Sequence, residues 1–230
     1  MSSRIFALAL LLTTFFLPVN TPTVVGYEEL NGNSAAKSRV TPCMVGRTSP
    51  PIGFWTWPAG TEVNIYLREP DFSASDLSAV RLAVENWDAT ATENGSNVRF
   101  TFHGLTREMR NAQGEITIIR KAVFDRKQRH LARLEAHSRY QDGLIDYALI
   151  LVDPSVQNSG LLTNVVAHEI GHSLGLMDCF TCDSRSTAMA SLKTGLQSNR
   201  IEGPTSCDTR EVRAAYAGVK SRTPLIAVGE

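Results

Sequence analysis

His168 and His172 stand four residues apart in the run Thr163-Asn164-Val165-Val166-Ala167-His168-Glu169-Ile170-Gly171-His172-Ser173-Leu174-Gly175-Leu176-Met177-Asp178. On a helix that spacing puts both imidazoles on one face, about one turn apart. Two imidazoles so placed can reach one zinc ion, and Glu169, next to the first, can reach a water beside it. The pattern is H-E-x-x-H: two ligands and a general base, the equipment of metal-assisted hydrolysis. Leu162, Val165, Val166 and Ile170 can line the buried side of such a helix, and Thr163 or Asn164 can cap its start. Gly175 then provides the break, because glycine tolerates positive φ and can end a helix in a left-handed turn. The reversal lets a residue three positions on return toward the metal, and that residue is Asp178.

The segment from His168 to Asp178 resembles the extended zinc signature of the metzincin peptidases. That signature normally ends in a third histidine; its replacement by aspartate resembles the snapalysin-like small bacterial metzincins. Ser186-Thr187-Ala188-Met189-Ala190 resembles the methionine turn that the family places beneath its metal. Met189 is preferred over Met177 for its small neighbours and its distance from the zinc motif. The resemblance implies an α+β fold: a metzincin-like, matrixin-like or snapalysin-like catalytic domain over residues 54–218. Its parts would be a mixed twisted sheet, an amphipathic helix, a zinc-binding active-site helix and a short C-terminal helix. It also implies an endopeptidase with one catalytic Zn2+ on His168, His172 and Asp178, Glu169 as base, and a peptide substrate extended along the edge strand. A carboxylate is an accepted zinc ligand, but it is shorter than an imidazole, so the turn after Gly175 must pass close to the ion. His103, His130 and His137 are read as core or surface residues. Ser191 stands where astacin-type members carry a tyrosine, so no tyrosine ligand switch is expected. Calcium is left open, as no Asp-rich loop supports it.

The surrounding periodicities supply the elements. Val63, Ile65 and Leu67 alternate with polar residues and predict a strand. Ser73 and Asp76 form a capping-box pattern, and Leu77, Val80, Val84 and Trp87 at helical spacing predict a helix over 74–91. Val98, Phe100 and Phe102 predict a second strand, and residues 115–124 a third. Ala132, Leu134, Ala136 and Ser138 alternate with charges and suit an edge strand, with a helix over 127–138 as the competing reading. The charge run over 126–139 reads as a solvated face, or else as a basic rim favouring acidic substrates. Asp142-Gly143 then turns into the apolar strand 144–152. Residues 209–216 predict a C-terminal helix, with Val212 and Tyr216 inward and Gly218 as its cap. Phe54, Trp55 and Trp57 are expected to pin the start of the domain to the core.

The 230 residues are 43% hydrophobic and carry 23 basic and 23 acidic side chains, a net charge of zero. This composition excludes a disordered or rod-like chain and argues against a dedicated nucleic-acid binder. Apolar Ile5 to Leu17 is short for a bilayer span and reads as the core of a signal peptide over 1–26. The expectations are export to an extracellular or periplasmic space, no stable membrane association after cleavage, and a monomer. Residues 27–53 form a lead-in or short propeptide, and 219–230 a tail. In an oxidising compartment Cys43, Cys179, Cys182 and Cys207 can form two disulfides, with three connectivities open. Cys182–Cys207 with Cys43–Cys179 would close a loop around the methionine turn and pin the lead-in. Alternatively, Cys43 resembles the zinc-latching propeptide cysteine of matrixin precursors. Two other functions compete: a proteolytically inactive metzincin-like zinc-binding protein, and a cysteine-based redox protein.

Overall fold

The computed structural model describes residues 52–125, 128–138, 143–182, 185–190 and 202–217, all within a unit spanning Arg39–Glu230. The expected signal peptide, most of the lead-in, Cys43, Ser191, Gly218 and the tail lie outside the described residues. In chain order the elements are β1 (Ile52–Thr56), β2 (Glu62–Arg68), α1 (Ala74–Asp88), β3 (Arg99–Thr106), β4 (Glu115–Arg120), β5 (Phe124–Asp125), β6 (Gln128–Arg129), β7 (Ala132–His137), β8 (Tyr147–Val152), α2 (Ser159–Ser173), β9 (Leu174–Leu176) and α3 (Ser206–Tyr216). Among the described residues no helix is long and apolar enough to cross a membrane.

Five strands form a mixed sheet in the order β3-β2-β4-β8-β7. The first four are parallel and β7 runs antiparallel to β8. The class is α+β, as the resemblance implied. The alternation in β2 buries Val63, Ile65 and Leu67 on one face. Central β4 is buried along both faces, with Glu115 and Thr117 among its buried residues, and β8 is apolar on both, the mark of strands covered on each side. Ile116, Ile118 and Ile150 join the main core, while Ile119 and Leu151 meet Val123 in a smaller cluster. Helices α1 and α2 complete the main core with Val80, Val84, Trp87, Leu162, Val165, Val166 and Ile170. The indole Nε1 of Trp87 donates to the carbonyl of Ala167 at 2.7 Å, locking the two helices in register.

Several local expectations need correction. Helix α1 starts at its Ser73–Asp76 capping box but stops at Asp88, whose carboxylate accepts from Arg99 and from the Phe100 amide at the start of β3. Residues 124–125 leave β4 and pair with 128–129 in a small hairpin. Residues 132–137 are strand, which settles the strand-or-helix question there. Trp57 is fully buried, but Trp55 is 43% exposed and does not join the core. The side chain of Phe54 is not described. The cap of α2 is Asn158, whose side chain accepts from the Leu161 amide. Thr163 and Asn164 therefore lie inside the helix. Helix α3 begins at Ser206, capped by Thr205 with Asp208, and buries Val212 and Tyr216 as anticipated.

Candidate metal centre

Helix α2 carries His168, Glu169 and His172, and one ligand atom from each lies within 4.8 Å of the others. The imidazoles stand nearly perpendicular, centroids 4.7 Å apart. Each is aimed by its far nitrogen. Nδ1 of His168 donates to the Ala188 carbonyl at 2.9 Å, and Nδ1 of His172 donates to the Leu176 carbonyl at 2.8 Å. Carbonyls only accept, so each ring carries a proton on Nδ1 and turns Nε2 toward the cluster.

Helix α2 ends at Ser173, and Gly175 follows at φ +89°. Glycine is required there twice. A side chain is strained at that φ, and a β-carbon would stand 2.7 Å from Cγ2 of Thr56 on β1, the strand that pairs with β9. The reversal brings Asp178 back to the two imidazoles. Its Oδ1 lies 3.0 Å from Nε2 of His168 and 3.9 Å from Nε2 of His172. Ligands around a tetrahedral zinc at about 2.0–2.1 Å stand roughly 3.3 Å apart, and the two spacings from Asp178 bracket that value. Two imidazole lone pairs and a carboxylate oxygen pointed at one another repel unless a cation or shared proton lies among them. This donor set fits zinc. Contact with His168, with the charges of His172 and His130, holds the Asp178 carboxyl below the ordinary aspartate range, against an opposing effect of burial.

Glu169 is buried beside this cluster, and its Oε2 has no hydrogen-bond partner. Burial pushes its carboxyl up to about 7; the charge of His172 and a backbone N–H of Leu134 oppose that, and Asp178 adds to it. Leu134 sits mid-way along β7. The Asp153 amide donates to the Leu131 carbonyl, which makes odd-numbered β7 residues the hydrogen-bonded partners of β8. The even-numbered residues, Leu134 included, turn their N–H and C=O off the open edge of the sheet.

Met189 is fully buried, whereas Met177 is 48% exposed. The Met189 sulfur fills the space in front of Gly171, where a β-carbon would stand 2.3 Å from it. The turn carrying Met189 hangs on Asp208, which is wholly buried. Asp208 accepts from the Ala188 amide at 3.0 Å, from the Thr205 amide at 2.8 Å and from the Thr187 hydroxyl. One carboxylate thus caps α3 and holds the residue whose carbonyl aims His168.

No family model matches the chain, and no curated protein matches it either. Among solved structures it is similar to an archaemetzincin from Methanopyrus kandleri, at 12% identity over 72% of this chain and 97% of that one, with a TM-score of 0.42. It is also similar to metalloproteinase-II from Bacteroides fragilis, at 14% identity over 76% of this chain and 59% of that one, with a TM-score of 0.40.

The cysteine pairings suggested by the sequence are replaced. Cys179 and Cys182 bond to each other, closing a short loop directly after Asp178. Their Cα atoms are 5.4 Å apart, within bridging range. The Cys179 amide also donates to the Met189 carbonyl at 2.8 Å, tying the loop to the methionine turn. Cys207 is disulfide-bonded too. His103 bonds Asn64 and stacks on Tyr66, and His137 stacks on Tyr147, so both serve the sheet. Sequence reasoning missed Asn158, Asp208 and the Leu134 amide. The Thr205-x-x-Asp208 capping pattern could have flagged Asp208; the Leu134 contact had no local signal.

Proposed function

We propose that this chain is a metzincin-like zinc endopeptidase acting outside the cytosol. The observation that carries the reading is the convergence of His168 Nε2, His172 Nε2 and Asp178 Oδ1 beside the unpartnered oxygen of Glu169. The apolar Ile5 to Leu17 segment and the disulfide-bonded cysteines support export. His168, His172 and Asp178 would hold one ion, with Met189 packed behind the helix that bears the imidazoles. Zinc bound there would supply Lewis acidity toward water and the scissile carbonyl. Glu169 takes the proton of the attacking water on its free oxygen and passes it to the leaving amine. The Leu134 amide steadies Glu169, and the outward-facing groups of β7 pair with the substrate main chain. Purified mature protein with zinc should cleave casein or a peptide library, lose that activity with a chelator, and be inactive as Glu169→Ala. Activity retained in that variant would overturn the assignment of the base. The carboxylate at the third ligand position favours a second reading, a zinc-binding protein without proteolysis. Stoichiometric zinc with no cleavage of any peptide would establish it.

A further inference from the structure

Four large apolar side chains that stand in solvent gather around the reversal that delivers Asp178. Met177 and Phe180 flank it in sequence, and Ile52 and Trp55 lie on β1, the strand paired with β9. The Cα partner of Ile52 is Leu176, next to Met177, and the Trp55 carbonyl would stand 3.7 Å from a β-carbon on Gly175. The other large apolar residues exposed among the described residues, Leu82, Leu105 and Met109, stand on α1, on β3 and just after β3. Scattered exposed apolar residues are ordinary, but several gathered on one turn mark a surface that meets something. Phe180 is the extreme case, 75% exposed, and the chain holds it in place from both sides. Before it, Cys179 is buried, donates its amide to the Met189 carbonyl and pairs with Ala190 in a parallel bridge. Beyond it, the Cys179–Cys182 bond closes the loop. Cross-linking so short a loop constrains the unfolded chain little, so the bond acts chiefly to fix the tip that carries Phe180. A ring fixed before it binds loses less entropy when it does.

We infer that Phe180, with Met177, is a specificity-determining surface that takes a bulky apolar side chain of the substrate, aromatic or long aliphatic, near the scissile bond. This rests on the peptidase reading. The peptide is the occupant because the surface is continuous with the ligand turn. Asp178 lies between Met177 and Phe180, and its side chain is still 37% exposed. Successive Cα atoms are about 3.8 Å apart, so those of Phe180 and Asp178 are within about 8 Å, the span of two residues of an extended peptide.

The test compares wild type, Phe180→Ser, Met177→Gln and a variant with both Cys179 and Cys182 changed to alanine, with Leu82→Ser on α1 as a control. The substrates are matched peptides carrying Phe, Leu, Gln or Ser at each position flanking the cut. Wild type should prefer Phe or Leu at one position by about 10-fold or more in kcat/KM. Phe180→Ser should abolish most of that preference at that position alone, Met177→Gln and removal of the disulfide should weaken it, and Leu82→Ser should leave it as it is. Phe180 and Met177 are exposed, so their variants should fold and keep the zinc content of wild type. The same peptides, titrated into Glu169→Ala protein with and without the Phe180 change, should show the same preference in Kd. No apolar preference in wild type, or one unchanged by Phe180→Ser or by removal of the disulfide, would overturn the inference. A Phe180→Ser variant that keeps the preference but loses self-association, or binding to phosphatidylcholine vesicles, would also overturn it and give the surface to a second copy or to a membrane. If wild type with zinc cleaves no peptide, the peptidase reading fails, and the Kd comparison still decides the role of Phe180.

Discussion

The sulfur of Met189 and the α-carbon of Gly171 are in direct apposition: a β-carbon on Gly171 would stand 2.3 Å from Sδ and 3.2 Å from the Trp87 ring. Gly171 separates the two imidazoles by sequence, so the helix backbone that spaces the ligands rests on the methionine. Gly171→Ala should displace Met189, destabilise the fold by about 1–3 kcal/mol as an overpacked core does, and weaken zinc retention. Met189→Ala should cost about 2–5 kcal/mol through the cavity it leaves. Thermal unfolding with and without zinc measures both.

Asp208 carries a second testable load. Its carboxylate accepts from Ala188, Thr187 and Thr205 at once, and an amide offers only one oxygen. Asp208→Asn should lower stability by roughly 2–4 kcal/mol, the scale for breaking buried hydrogen bonds to a charge. Zinc affinity should fall as well, because the Ala188 carbonyl would no longer aim His168. Denaturant unfolding and zinc titration on one preparation separate the two effects. Unchanged zinc affinity in a folded variant would remove Asp208 from the site.

What could be read in advance was what local chemistry decides. The H-E-x-x-H spacing, the break at Gly175 and the Ser73–Asp76 box are each set within a few residues, and each stands in the structure. The start of α2 escaped because Asn158, Thr163 and Asn164 are all good caps, and only packing against α1 selects the first. The order of the sheet, the dual role of Asp208 and the Leu134 amide beside Glu169 depend on residues distant in sequence. The cysteine pairing was underdetermined, since four thiols allow three connectivities. Trp55 misled because a large apolar residue near a buried neighbour is not itself obliged to be buried.

Acid should release the link between α1 and β3. The Arg99 side chain and the Phe100 amide hold the Asp88 carboxyl below its ordinary value of 3.8, against desolvation. A lowered folded-state value means the stabilisation is present above 3.8 and is lost as pH falls through the folded-state value. The stability gap between wild type and Asp88→Asn should therefore be constant above about pH 5 and close in stronger acid. A gap that widened in acid would contradict the ion pair.

The Cys179–Cys182 bond closes so short a loop that it constrains the unfolded chain modestly. Replacing both cysteines with alanine should cost about 2 kcal/mol by loop entropy and leave the protein folded. Non-reducing peptide mapping should find both residues in one linked fragment. A bond from Cys182 to Cys207 in that map would contradict the structure.

The central claim is that His168, His172 and Asp178 are one metal's ligands, and absorption spectroscopy at the zinc edge tests it most directly. The account predicts one zinc per chain, two imidazole nitrogens at about 2.0–2.1 Å and a carboxylate oxygen at about 2.0–2.2 Å, with the oxygen scatterer altered and affinity reduced in Asp178→Ala. A shell unchanged by that substitution, or a chain that takes up no zinc, would contradict it.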